Sequence, residues 1–204
     1  MIQRPDPPLV LASASAARRA VLEAAGLRFT AEAAAVDEAA IKESARAEGI
    51  PPGEAATMLA EAKARRVSRR APEGALVIGA DQILVCEGAW FDKPADRAAA
   101  RAQLLALRGK AHELETALVC WRGGERVWGH LAAPRLTMRR FSDAFLDAYL
   151  AFEGEAVLGS VGAYRLEGLG AHLFAAVEGE HAAVLGLPLL PLLGFLRGHG
   201  VLLG

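Results

Sequence analysis

The chain has 204 residues, 53% of them hydrophobic, with 23 basic against 24 acidic side chains and a net charge of -1. That length accommodates one domain with a real core, in one or two lobes, and that apolar content excludes a disordered chain. The balanced charge argues against a nucleic-acid coat protein or a polybasic membrane binder, while leaving room for a local basic pocket.

The N-terminal segment Leu9-Val-Leu-Ala-Ser-Ala-Ser-Ala faintly resembles a signal peptide, but Asp6 and the nearby prolines disrupt it and its apolar run is short. Pro8 to Ala12 reads as a strand, followed by a helix from Ala16 to Ala25 with Ser13 or Ser15 as N-cap and Gly26 just past its end. Free backbone N–H groups, two hydroxyls and Arg18 at that helix start make an anion site, or equally a plain capped helix. Phe29 to Val36 reads as a strand leading into Asp37-Glu38, a carboxylate pair that either binds metal or starts the next helix. Glu54 to Arg70 is a strong helix with Met58, Leu59, Ala62 and Val67 on its apolar side. Lys63 sits at the edge of that stripe, where an apolar-stemmed lysine can snorkel.

Leu76 to Cys86 is a Val/Ile/Leu-rich run typical of a buried strand, interrupted at its centre by Gly79 and Asp81. A carboxylate in such a strand needs a partner: a metal ion, a cation or several backbone N–H groups. Twelve residues on, Lys93 precedes Pro94, where the chain must be extended. Among the 23 basic residues only Lys42, Lys63, Lys93 and Lys110 are lysines, so each is a candidate for a specific task.

Pro94 to Gly109 reads as a helix. His112 to Arg122 and Glu125 to Arg140 read as a hairpin of long strands around Gly123-Gly124. Ser142 caps a helix with Phe145, Leu146, Tyr149 and Leu150 on one stripe. Gly159 to Gly170 is a glycine-rich loop containing Glu167. His172 to Val177 and Ala182 to Leu187 read as strands, and Pro188 opens an apolar C-terminal helix; the longest apolar segment, Ala182 to Leu196, is below spanning length and broken by Gly186, Pro188, Pro191 and Gly194. Cys86 and Cys120 are isolated in apolar runs and read as buried thiols in a reducing compartment. Alternating strands and helices with hairpins in the middle imply an α/β fold with a mixed central sheet and flanking helices. The protein is expected to be soluble and cytoplasmic.

H-x-x-x-H, C-x-x-C, G-x-S-x-G and a dinucleotide fingerprint are all absent, which sets aside zinc, serine-hydrolase and dinucleotide chemistry. Glu38, Asp81, Lys63, Lys93, Arg18 and helix-terminal N–H groups remain. Hard carboxylate ligands beside fixed positive charge are what phosphoryl chemistry uses.

Those residues lie in the ordered blocks Leu11-Ala-Ser-Ala-Ser-Ala-Ala-Arg-Arg, Val36-Asp-Glu38, Ala62-Lys63-Ala, Gly79-Ala-Asp-Gln82, Lys93-Pro94, Gly162-Ala-Tyr, Glu167-Gly-Leu-Gly170 and Leu185-Gly-Leu-Pro188. The blocks resemble the Maf family of nucleoside triphosphate pyrophosphatases, first described as septum-formation inhibitors. The resemblance covers nearly all of residues 1–204 as a single Maf-like domain. It implies an elongated α/β structure with a cleft between two lobes, similar to inosine triphosphate pyrophosphatases. It implies Asp81 as the active-site acid, accepting a proton from the attacking water or binding metal. Glu38 would help hold Mg²⁺ or Mn²⁺, and Ser13, Ser15, Arg18, Lys63 and Lys93 would grip the triphosphate. The implied reaction is attack at the α-phosphorus, releasing a monophosphate and pyrophosphate from a nucleoside triphosphate, with no nucleic-acid or membrane partner; a homodimer is compatible with it.

Members acting on dTTP and UTP usually carry S-x-S-P-R-R, G-A-D-T and I-Q-G. Here Ala17 replaces the first Arg, Gln82 the Thr and Glu167 the Gln. Gln82 and Glu167 resemble the subfamily that hydrolyses 7-methyl-GTP, whereas Ala17 matches neither pattern. A carboxylate accepts two hydrogen bonds and donates none, which suits the N–H edge of guanine, and a 7-methylated guanine is cationic. The competing expectations are a dTTP/UTP/CTP enzyme and a non-catalytic, nucleotide-binding regulator of cell division.

Overall fold

A computed structural model describes residues 2–204. The strands form one mixed sheet in the order Thr30–Ala31, Leu9–Ala12, Leu76–Cys86, Ala111–Arg122, Arg135–Met138 and Phe174–Glu178, with Ala89–Phe91 on Leu76–Cys86 and Glu125–Ala132 on Ala111–Arg122. The chain divides into two compact units. The first comprises the residues up to Gln82 with Thr116–Ala132 and Glu180–Gly204, the second Ile83–Glu115 with Ala133–Gly179.

In the first unit, β1 (Leu9–Ala12) lies parallel to β2 (Thr30–Ala31) and to the start of β3 (Leu76–Cys86). All four residues of β1 are buried, as expected for a parallel strand covered on both faces. The end of β5 (Ala111–Arg122) pairs antiparallel with β6 (Glu125–Ala132), and the connecting Gly123 and Gly124 both have positive φ, as a tight hairpin turn requires. Helices α1 (Ala16–Ala24), α2 (Glu38–Ala47), α3 (Pro52–Ser68), α6 (His181–Val184) and α7 (Leu189–Gly198) complete this unit. Its core joins Leu9, Leu11, Leu22, Ile78, Leu118 and Leu196. Cys120 is in the same core, and burial pushes its thiol up.

The second unit contains the end of β3 with β4 (Ala89–Phe91), and the start of β5 with β7 (Arg135–Met138) and β8 (Phe174–Glu178). Helices α4 (Arg97–Leu107) and α5 (Asp143–Glu153) start at Asp96 and Ser142, whose side chains accept the N–H groups of Ala99 and Phe145. Three 3-10 turns, Gly154–Gly159, Val161–Ala163 and Leu169–Leu173, carry the chain from α5 to β8.

Four expectations change. The strand expected over Phe29 to Val36 shrinks to Thr30–Ala31, because its partner β1 ends at Ala12. The strand expected from Glu125 to Arg140 splits into β6 and β7 around Pro134, which cannot donate to a ladder. The apolar run Ala182 to Leu187 begins within a helical turn, α6, rather than a strand; short apolar runs carry no period that separates the two. Met58 is 41% exposed, and the buried face of α3 runs instead through Ala56, Leu59, Ala60, Lys63, Ala64 and Val67. Among the described residues no helix is long and apolar enough to cross a membrane.

Candidate active site

The site in the first unit is assembled by the packing of α3 on β3. Gly79 makes that packing close: a Cβ there would lie 2.2 Å from the carbonyl oxygen of Ala60 and 2.8 Å from the Cβ of Ala64. Ala60 and Ala64 are small for the same reason. Lys63 sits between them on α3, so the approach that excludes a side chain at position 79 delivers the ammonium to Asp81 two residues on.

Lys63 Nζ donates to Asp81 Oδ1 at 2.5 Å and lies 2.8 Å from Glu38 Oε1. The Lys63 and Asp81 side chains are 9% and 6% exposed, and Glu38 is half open at 46%. Glu38 is the first residue of α2, held there by Asp37, whose carboxylate caps the helix by accepting from Ala40 N–H at 3.0 Å. Of the expected carboxylate pair, Asp37 thus starts the helix and Glu38 faces the lysine. Of the three partners open to Asp81 from sequence, the structure supplies a cation.

The start of α1 is the second part. Ser15 is its N-cap, accepting from Arg18 N–H at 3.3 Å, and Ser13 Oγ accepts from Ser15 N–H at 3.2 Å. The Arg18 side chain, expected to face an anion, turns inward. Its Nε donates to Gly186 carbonyl at 2.8 Å, and its Nη1 to Ala80 carbonyl at 2.9 Å and Ser13 Oγ at 3.3 Å. Arg18 therefore ties the serine turn to the residue before Asp81. Burial pushes its guanidinium below its ordinary value, while Asp81 and then Glu38 pull it upward. Two cations and two carboxylates balance in charge, which makes the burial of Arg18, Lys63 and Asp81 tolerable.

Gln82 is anchored to the scaffold. Its amide nitrogen donates to Thr116 Oγ1 at 2.7 Å and to the carbonyls of Ala183 and Val184 at 3.0 and 3.2 Å. Ala17 is half-buried in the first turn of α1. Lys93 and Glu167 belong to the second unit. Lys93 is exposed on the segment between β4 and α4, and Glu167 lies in the loop after the second 3-10 turn, where Arg165 Nε donates to its Oε1 at 3.3 Å. The structure thus gathers Ser13, Ser15, Arg18, Glu38, Lys63 and Asp81 in one unit and places Lys93 and Glu167 in the other.

Sequence reading passed over Gly186, Thr116 and the role of Gly79. A glycine inside an apolar strand is the signal for a close backbone approach, and Gly79 carried it.

Glu38 and Asp81 are hard oxygen donors converging on one positive charge. Among the described residues no cluster of three or more His, Cys, Asp or Glu forms a metal cage. That donor set fits a small hard divalent ion, which takes one or two carboxylates and completes its shell with phosphate oxygens and water.

Residues 8–199 match the family described as Maf-like protein. The chain belongs to the Maf family. A nucleoside triphosphate pyrophosphatase of Granulibacter bethesdensis is 59% identical over 194 residues, covering 95% of this chain and 98% of that one. Proteins of the same name from Paramagnetospirillum magneticum and Rhodospirillum rubrum are 60% and 55% identical over 193 and 197 residues. They cover 95% and 97% of this chain, and 99% and 97% of their own lengths.

Proposed function

We propose that this Maf-family chain is a nucleoside triphosphate pyrophosphatase that cleaves 7-methyl-GTP to 7-methyl-GMP and pyrophosphate. The pyrophosphatase activity is supported by near full-length relatives of that name at 55–60% identity. The observation that carries the chemistry is the buried Lys63 ammonium held by both Asp81 and Glu38, in one unit with the serine turn at the start of α1.

The reaction is attack of water at the α-phosphorus, with departure of the β,γ-pyrophosphate. Asp81 accepts the proton of the attacking water. Lys63 orients the Asp81 carboxylate and offsets the negative charge that grows on the phosphoryl oxygens. The serine hydroxyls and N–H groups at the start of α1 bind phosphate oxygens, as helix N-termini do. Arg18 acts from behind, fixing the serine turn against Ala80 rather than reaching toward solvent. Lys93 adds a positive charge for the triphosphate. A Mg²⁺ or Mn²⁺ ion, held by Glu38 and Asp81 with the substrate's own oxygens, would neutralise triphosphate charge.

Glu167 is the base reader in this proposal. Its carboxylate accepts from the N–H edge of guanine and favours the positive charge of the 7-methylated ring. The test is pyrophosphate release from 7-methyl-GTP, GTP, dTTP, UTP and CTP with Mg²⁺ or Mn²⁺. Preference for 7-methyl-GTP is expected. Preference for a pyrimidine nucleotide would keep the chemistry and overturn the role of Glu167, and no release by folded protein would overturn both.

A further inference from the structure

One face of α5 organises the loop that carries Glu167. Tyr149 and Glu153 are four residues apart and so lie on the same side of the helix. The Tyr149 hydroxyl donates to Ala163 carbonyl at 3.3 Å, and the backbone N–H of Arg165 also bonds that hydroxyl. Glu153 Oε2 accepts from Arg165 Nη1 at 3.3 Å, with the Glu153 side chain only 4% exposed. The same guanidinium donates through Nε to Glu167 Oε1 at 3.3 Å.

The loop is built tightly around this pair. Gly162 and Ala163 both have positive φ, at 77° and 58°, a conformation that costs energy for an alanine and persists only when neighbours impose it. A Cβ on Gly170 would lie 2.2 Å from the Arg165 carbonyl oxygen, and one on Gly168 would lie 3.3 Å from Glu153 Oε1. Arg165 is therefore shared between a buried carboxylate that holds it and a half-open carboxylate that faces solvent.

We infer that Glu153 is a positioning residue for base selection: by holding Arg165 it keeps the carboxylate of Glu167 available to a cationic purine. The inference rests on the base-reading role proposed for Glu167. Without the charge on Glu153, Arg165 turns its whole fork to Glu167 and both carboxylate oxygens are taken. A positively charged 7-methylguanine then has to displace a guanidinium, whereas the neutral base of GTP, bound weakly to begin with, loses less.

The test is steady-state pyrophosphate release from 7-methyl-GTP and GTP by Glu153→Gln, Arg165→Gln, the double variant and Glu167→Gln. Glu153→Gln should raise KM for 7-methyl-GTP roughly fivefold with kcat little changed, the scale of one partly exposed ion pair. Adding Arg165→Gln should restore KM, because the competing cation is gone. A merely structural Glu153 predicts a lower Tm, a loss in kcat for both substrates and no rescue; that result would overturn the inference. Unchanged KM in a folded Glu153→Gln would also overturn it. If Glu153→Gln does not fold, Arg165→Gln alone decides, with a lower KM for 7-methyl-GTP in favour and an unchanged or higher one against. Glu167→Gln separates the two layers: if it leaves the 7-methyl-GTP to GTP preference unaltered, the base-reading role fails and the inference with it. If it shifts that preference while Glu153→Gln does not, the positioning role alone fails.

Discussion

The two units of this molecule bury polarity in opposite ways. The first places Arg18, Lys42, Lys63 and Asp81 at under 10% exposure, with charge set against charge in the Lys63, Asp81, Glu38 and Arg18 group. The second buries neutral groups: His112 at 2% exposure and Tyr164 at 5%, bonded ring nitrogen to hydroxyl at 2.9 Å. Its ion pairs, Arg101 with Asp147 and Arg108 with Asp143, stay near the surface, and Glu153 is the buried exception. Charge buried in a rigid frame holds its geometry and its field strength, which suits bond cleavage. A loop with half-open ions can be retuned by one substitution, which suits the base selection proposed for it.

The sharpest way to break this contrast is at Asp81. Asp81→Asn keeps the shape and a hydrogen bond to Lys63 but removes the proposed proton acceptor, so turnover should fall by about 10³-fold or more. A variant that retained a tenth of wild-type activity would remove Asp81 from the chemistry. The regulator alternative predicts that the same variant keeps its cellular effect.

Lys63→Ala attacks the same cluster through its stability. It leaves Asp81 buried against Glu38 with no cation between them, and breaking a buried pair in this way costs about 3–5 kcal/mol. A matching single change at the rim of the second unit, Asp147→Ala, should cost under about 1 kcal/mol. Equal losses in denaturant midpoint would erase the distinction between the units.

Gly79→Ala tests what brings the cluster together. The new Cβ meets backbone at Ala60, which cannot step aside as a side-chain tip could. Overpacking of this kind costs about 1–3 kcal/mol, and α3 must shift to relieve it. Turnover should fall with stability, because Lys63 moves with its helix. Full activity in a destabilised variant would separate the packing from the chemistry.

Residues 76–86 are a strand with the boundaries their composition suggests, and the need of Asp81 for a partner follows from burying a carboxylate at all. That Lys63 is the partner was not legible: eighteen residues separate them, and the edge of an apolar stripe also suits a snorkelling lysine. Arg18 was legible as a charge at a helix start, but its inward turn depends on carbonyls at Ala80 and Gly186, the latter 168 residues away. Glu153 gave no signal, since an acidic residue at a helix end reads as solvated surface. The ladders of β6 and β7 could have been separated at Pro134 from its missing donor, whereas α6 could not have been told from a strand.

The last contrast is one of pH, in the neutral interior of the second unit. Burial lowers His112 from 6.5 to about 4. Among the described residues its Nδ1 has no hydrogen-bond partner, while its Nε2 meets the Tyr164 hydroxyl, so an added proton would leave one buried ring N–H unpaired. The folded value lies below the unfolded one, so between pH 6.5 and 4 the unfolded chain binds the proton and the folded one does not. The stability contributed by neutral His112 is complete above pH 6.5 and is lost as pH falls, by about 2 kcal/mol at pH 5. His112→Gln can keep a bond to Tyr164 without titrating. Thermal unfolding from pH 7.5 to 5 should therefore show a steeper decline for wild type than for the variant, with the two differing most at the acid end. Parallel curves would mean that His112 takes up its proton alike in the folded and unfolded chains, and the second unit would then bury charge at acid pH as the first one does.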